Sequence, residues 1–142
     1  MKAYFIFLTT ILLLGGCATT PTDDAPQGDV LDCGVEQAEP GQYVAYNVEV
    51  RDCFYNAYLS CEPAKIKTIK TTIEGDPITQ TLTILGQEGE KCKIKNDIDS
   101  QDNFGLKGQF ENICYSLEKE DAENPRFILS DCEDDSVGFD YV

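Results

Sequence analysis

The chain has 142 residues, a length typical of a single domain, and 42% of them are hydrophobic, which is sufficient for a folded core. It carries 26 acidic and 11 basic residues, and the resulting net charge of −15 excludes general nucleic-acid binding, because phosphate recognition needs a basic surface. The absence of histidine excludes His-dependent catalytic triads, His-ligated metals and imidazole acid–base chemistry.

The N-terminus has the pattern of an export signal. Met1 and Lys2 are followed by a run of mostly apolar residues from 3 to 14. This run is shorter than the ~20 residues of a membrane-spanning helix, and it fits the ~7–15-residue hydrophobic region of a secretory signal peptide. We therefore predict that the chain is exported.

The residues at the end of this run are Leu14-Gly15-Gly16-Cys17. They resemble the lipobox of bacterial membrane lipoproteins, in which leucine, small residues and cysteine mark the cleavage site. The resemblance implies a signal peptide over residues 1–16 and a diacylglycerol on the Cys17 thiol. It therefore implies a lipid anchor in the outer face of the inner membrane or in the outer membrane. An ordinary signal peptide with a cysteine here by chance is the alternative.

The cysteine count agrees with lipidation of Cys17. Seven cysteines would leave one thiol over in an oxidising compartment, whereas removing Cys17 leaves an even set. We predict that this set forms three disulfides, although the sequence does not choose among the possible pairings. Its members are Cys33, Cys53, Cys61, Cys92, Cys114 and Cys132. A zinc site is the weaker interpretation, because the chain has neither a Cys-x₂-Cys pair nor a histidine.

A polar segment joins the predicted lipid to the folded part of the chain. Residues 17–32 are rich in threonine, proline and aspartate, a composition that continues to about Gln37 and is typical of a flexible tether. Residues 33–142 then form one disulfide-rich domain with an acidic C-terminal end.

The first element predicted within this domain is a helix from about Asn47 to Cys61. Cys53 and Cys61 share one stripe of that helix, and Pro63 disfavours helix at the residue before it. The two cysteines would lie ~12 Å apart along the helix axis, too far to bond to each other. Each is therefore expected to join the helix to another element. Residues 43–50 are ambiguous, because they also alternate like a strand.

Four strands are predicted after the helix. Residues 64–73 are rich in β-branched side chains, and apolar residues alternate with polar ones over 78–84 and 91–98. A fourth strand is predicted over 110–118, and residues 127–129 are a further short candidate. This order predicts an α+β fold, in which one helix packs on a four-stranded antiparallel sheet and disulfides staple the two together.

The basic residues are concentrated on the predicted sheet. The alternation places five lysines on the face opposite the buried residues, beside the threonines of the middle strand. We refer to these residues as the lysine patch: Lys65, Lys67, Lys91, Lys93 and Lys95. Three interpretations are open: protection of edge strands against aggregation, binding of an anionic ligand or acidic partner, and an internal latch closed by the acidic segment 131–135.

Metal binding and catalysis have little support in the sequence. The acidic segment 96–103 offers alternating oxygen ligands, but Asp102 and Gly108 stand where a calcium-binding EF-hand loop needs glycine and glutamate. The serines have no histidine to activate them, and no spacing singles out a carboxylate pair. We therefore expect no catalytic residue, no bound metal and no cofactor.

Together these features predict an envelope-anchored lipoprotein with a non-catalytic binding or structural role. Its expected partners are the membrane, through Cys17, and a protein or anionic component of the envelope. A second hypothesis is an inhibitor of a secreted basic hydrolase such as a lysozyme, because a strongly acidic domain attracts a basic enzyme. That hypothesis assigns binding to Glu133, Asp134 and Asp135 rather than to the lysine patch.

Overall fold

A mixed β-sheet and one helix make up the part of the chain that the computed structural model describes, which is residues 29–37, 46–120 and 126–134. The helix is α1 (Val48–Ser60). The strands are β1 (Leu31–Gln37), β2 (Ala64–Thr71), β3 (Pro77–Glu88), β4 (Lys91–Ser100), β5 (Gly108–Glu120) and β6 (Arg126–Cys132). They lie in the order β1-β2-β3-β4-β5-β6, with β1 parallel to β2 and all other neighbours antiparallel.

This sheet shows that the predicted fold class is wrong. It has six strands rather than four, and it is mixed rather than antiparallel, because β1 runs parallel to β2. The polar composition of residues 31–37 concealed β1. Only Glu36 of its seven residues is buried, so the strand lacks the apolar alternation that marks β2, β3 and β4. The short candidate at 127–129 is part of a complete strand, β6.

A bulge in β1 turns two residues of this strand toward the helix. Cys33 and Glu36 would lie on opposite faces of a regular strand, yet both are bonded to side chains of α1. The register shift between Asp32 and Val35 supplies the change of face. Gly34 occupies the bulge with a φ of 115°, a backbone conformation that glycine adopts readily.

The helix lies within one residue of its predicted limits. The Asn47 side chain caps its N-terminus by accepting a hydrogen bond of 3.2 Å from the Val50 amide. Cys61 ends it in the left-handed conformation, where its amide donates to the Tyr58 carbonyl. The prediction of helix is therefore confirmed for residues 48–60. Residues 43–45 of the ambiguous segment lie outside the described residues.

The core fills the space between α1 and one face of the sheet. Phe54 and Ala57 of the helix are buried there, and the ring centroid of Phe54 lies 5.8 Å from that of Phe127. The buried residues of the sheet that belong to the same core are Ala64, Ile66, Leu82, Ile84, Ile94, Cys114, Leu117, Phe127 and Leu129. Burial of a large apolar side chain contributes about 1.5–3 kcal/mol, so this layer is the main source of stability.

Three disulfides join the helix to the sheet and the last two strands to each other. The pairs are Cys33–Cys53, Cys61–Cys92 and Cys114–Cys132. As predicted, Cys53 and Cys61 bond to different elements, β1 and β4. Ala57 lies between them on the helix and is only 4% exposed, so its small side chain lets the helix approach the sheet closely. The three disulfides are compatible with an exported protein.

Candidate functional site

The strand register places the lysine patch on the face of the sheet opposite the helix. Lys65 of β2 lies opposite Thr83 of β3, which in turn lies opposite Lys95 of β4. Because neighbouring strands are ~4.8 Å apart, the backbones of the two lysines are separated by ~10 Å across the threonine. Lys67 lies in the next row, where the residue of β4 is Asp97. Thr83 of β3 is thus flanked by a lysine on each side, whereas Thr81 lies between Lys67 and Asp97.

Most lysines of the patch have a carboxylate partner. The ion pairs are Lys65–Asp32, Lys91–Asp131, Lys93–Glu88, Lys95–Asp97 and Lys95–Glu111, with N–O distances from 2.6 to 3.4 Å. Within the described ranges, Lys67 is the one member without such a pair. The hydrogen bonds that Lys95 donates to Glu111 and Asp97 raise the pKa of Lys95, and the contact with Lys95 lowers the pKa of Glu111. The patch is therefore largely neutralised by its own neighbours, which disfavours binding of an anionic ligand.

Protection of edge strands is not the role of these lysines. They lie on β2 and β4, which have a neighbouring strand on both sides. An interior strand has no free row of backbone groups that could pair with another chain. In the described part of the chain, the sheet edges are β1 and β6 instead.

The C-terminal acidic segment makes internal contacts with the patch side of the sheet. Asp131 accepts a hydrogen bond of 2.6 Å from Lys91. The Tyr115 hydroxyl lies 2.7 Å from the Glu133 carboxylate and 3.0 Å from that of Glu88. These two acceptors raise the pKa of Tyr115, because both favour its protonated form. The contact between Asp131 and Lys91 agrees with the latch hypothesis, whereas Glu133 contacts a tyrosine rather than a lysine.

These contacts bear on the acidic residues that the inhibitor hypothesis named. Glu133 is bonded to Tyr115. The backbone of Asp134 is held by Asn112, whose amide nitrogen donates to the Asp134 carbonyl over 2.7 Å. Asp135 lies outside the described residues. The carboxylate of Glu133 and the backbone of Asp134 therefore contribute to internal structure, and a partner that binds Glu133 would have to compete with Tyr115.

A shallow depression of about 330 Å³ lies on the same face, between β3, β4 and β5. Asp97, Asp99 and Glu111 border it, together with threonines of β3. Residues 96–100 of the acidic segment that was compared with a calcium-binding loop belong to β4, so this part of the segment is a strand rather than a loop. Among the described residues, no group of three or more carboxylates or cysteines has the arrangement of a metal site.

Exposed apolar residues at one end of the sheet were missed by the sequence analysis. The loop between β2 and β3 carries Ile73, which is 93% exposed. The loop between β4 and β5 carries Phe104 and Leu106, which are 81% and 57% exposed. Both loops lie at the same end of the sheet, because they follow β2 and β4, which run in the same direction. Apolar residues within turns rich in Gly, Asn and Asp were the signal that could have indicated them.

Hydrogen bonds hold these two loops together. The carboxylate of Asp76 accepts two bonds from Asn103, one from its backbone amide and one from its side-chain amide, each of 2.9 Å. The carboxylate of Asp102 accepts from the amides of Phe104 and Gly105, also over 2.9 Å. The backbone that carries Phe104 is therefore fixed on both sides. We call residues 72–76 and 101–107 the loop tip.

A buried ion pair lies on the opposite face, under the helix. Arg51 of α1 is fully buried, and its guanidinium lies 2.7 Å from the carboxylate of Glu36 in β1. The guanidinium also stacks against two aromatic rings, at 3.8 Å from the centroid of Tyr46 and 4.6 Å from that of Phe127. Glu36 accepts a further hydrogen bond of 3.1 Å from Thr68. This arrangement attaches β1 to the helix and to β2.

Lys70 extends this cluster. Burial and the nearby positive charge of Arg51 lower the pKa of Lys70, although Glu36 acts in the opposite direction. No sequence pattern indicates this cluster, because Glu36 belongs to the polar segment that resembles a tether and Arg51 is a single charged residue on a short helix. Its enclosed position favours a structural role over a binding role.

Cys17, the predicted site of lipidation, lies outside the residues that the structure describes. The predicted signal peptide and most of the predicted tether also lie outside them. Within the described ranges, no helix is both long and apolar enough to cross a membrane. No protein-family model, no curated protein and no solved structure matches this chain.

Proposed function

We propose that this protein is an envelope-anchored lipoprotein whose disulfide-stapled domain has a non-catalytic binding role. The cysteine pairing is the observation that carries the proposal. All six cysteines after residue 17 form three disulfides with one another, so none of them is left to pair with Cys17. That single remaining thiol directly follows Leu14-Gly15-Gly16, where a lipobox requires it.

The position of β1 supports presentation of the domain away from the anchor. β1 begins at Leu31, which pairs with Ala64 at the start of β2. The loop tip lies beyond the other end of β2, which has eight residues and therefore extends for about 25 Å. The N-terminal end of β1 and the loop tip thus lie at opposite ends of this strand, and an anchored domain can expose the loop tip to a partner.

The chemistry of the outer face supports binding rather than catalysis. Asp97 and Glu111, which border the depression, are both ion-paired with Lys95. The lowered pKa of Glu111 makes its carboxylate a weak general base, and the depression is shallow. The chain also contains no histidine that could replace them in proton transfer.

The anchor is tested by determining the N-terminal residue and its modification in protein that is expressed in a bacterium and recovered from its envelope. We expect an intact mass that begins at Cys17 and includes a diacylglycerol, with the protein in the membrane fraction. Cys17→Ser is expected to lose the lipid mass, because it has no thiol at residue 17 to carry the diacylglycerol.

Ala18→Ser is the matched control, since it changes the neighbouring residue without removing the thiol, and it should be lipidated and retained like the wild type. A wild-type protein whose mature mass is that of the unmodified polypeptide, or whose N-terminus is not Cys17, would contradict the proposal.

A further inference from the structure

The loop tip has the surface composition of a protein-binding site. Ile73, Phe104 and Leu106 expose large apolar side chains there, at 93%, 81% and 57%. Apolar residues grouped in this way on a soluble domain are characteristic of interaction surfaces. Aromatic side chains such as Phe104 often contribute the largest share of the binding energy in such surfaces.

The hydrogen bonds within the loop tip lower the cost of binding. Asp76 joins the two loops through Asn103, and Asp102 fixes the amides of Phe104 and Gly105. A partner therefore does not have to order this backbone when it binds, and less binding energy is spent on conformational entropy. The apolar side chains are presented on a preorganised backbone.

The charge of the loop tip indicates the kind of partner. Its acidic residues are Glu74, Asp76 and Asp102, and its single basic residue, Lys107, is hydrogen-bonded to Asn103 over 2.9 Å. The chain as a whole carries a net charge of −15, so its electrostatic field also attracts positively charged molecules toward the loop tip. A second copy of the chain would meet like charge here, and an anionic lipid surface would repel the loop tip.

We propose that the loop tip is the docking surface for a basic secreted protein, whose lysines or arginines surround an apolar depression that receives Phe104. The inference rests on the proposed export and binding role, and it names the surface and the charge of the partner. The inhibitor hypothesis assigned the acidic contact with the partner to residues 133–135, whereas this inference assigns it to the loop tip. Ile73 and Phe104 supply the apolar contact, and Glu74 supplies charge complementarity.

Binding of defined basic proteins to the mature protein tests this inference. The probes are a c-type lysozyme, a g-type lysozyme and a pancreatic-type ribonuclease, with serum albumin as an acidic control protein. We expect micromolar or tighter binding of at least one basic probe and none of albumin. Phe104→Ser should weaken that binding more than about tenfold. Glu74→Lys should slow association, and the difference from the wild type should shrink at high salt.

Two matched variants separate the loop tip from general surface effects. Leu59→Ser removes an apolar side chain that is 66% exposed on α1, and Glu62→Lys reverses an exposed charge after the helix. Both should bind the probes like the wild type. Thermal melting checks that every variant is folded. All four are expected to fold like the wild type, because the changed side chains are exposed.

Several outcomes would overturn the inference. They are the absence of binding by all three basic probes, equal loss of binding in the Leu59→Ser control, and unchanged binding by Phe104→Ser. Phe104-dependent flotation of the non-lipidated Cys17→Ser protein with phosphatidylglycerol vesicles would identify a membrane as the occupant instead. The intact mass of the same preparation distinguishes the two proposals: lipidated protein without binding contradicts only the loop tip, and unlipidated protein contradicts the anchor.

Discussion

Reduction of the three disulfides is expected to unfold most of the domain at room temperature. The bonds span sequence separations of 20, 31 and 18 residues, and loops of this length each correspond to about 3–4 kcal/mol of chain entropy in the unfolded state. Their sum of about 10 kcal/mol is comparable with the whole free energy of unfolding of a typical domain. Circular dichroism melts with and without a thiol reductant measure the effect.

Removal of one bond tests which staple matters most. The double variant Cys61→Ser/Cys92→Ser should lower the melting temperature by more than about 10 °C, since it releases the C-terminal end of α1 from β4. Cys114→Ser/Cys132→Ser is the matched comparison, because it opens a bond between strands that remain paired by backbone hydrogen bonds. We expect a smaller decrease for it. Equal melting temperatures of the oxidised and reduced wild type would show that the disulfides do not stabilise the domain.

The second large effect is expected from Glu36→Gln, which should lower the free energy of unfolding by about 3–5 kcal/mol. The substitution keeps the shape of the side chain but removes the negative charge beside Arg51, whose side chain is fully buried. A buried guanidinium without a counter-charge pays its desolvation cost without compensation. Lys70 adds a second positive charge to the same region. Urea denaturation of the oxidised protein measures the change.

Two comparisons make this prediction specific to the buried pair. Glu118→Gln changes an exposed glutamate of β5 and should alter the free energy of unfolding by no more than about 0.5 kcal/mol. The double variant Glu36→Leu/Arg51→Met should be more stable than Glu36→Gln, because it leaves no unpaired buried charge. If Glu36→Gln unfolds at the same urea concentration as the wild type, the ion pair is not a structural link.

Periodicity alone was sufficient for the elements whose own side chains fill the core. The helix limits follow from the stripe that contains Cys53 and Cys61 and from the proline that ends the segment. β2, β3 and β4 follow from the alternation of isoleucine or leucine with lysine or threonine, because each such strand buries one face. The even set of six cysteines likewise indicates three disulfides in an exported chain.

The tertiary structure decided the features that depend on contacts between distant segments. β1 forms because Glu36 and Cys33 meet Arg51 and Cys53, not because its own residues are apolar. The two loops of the loop tip, which are far apart in sequence, lie together because hydrogen bonds join Asp76 to Asn103.

The lysine patch illustrates the same division. The sequence by itself determined which face each lysine occupies, because alternation along a strand is a local property. Only the folded sheet decided that Lys95 lies beside Glu111 and Lys91 beside Asp131, and thus that most of the patch is neutralised. Local patterns record which side chains avoid water. They carry no information about which distant residue arrives as the neighbour, and at the lysine patch those neighbours determine the net charge.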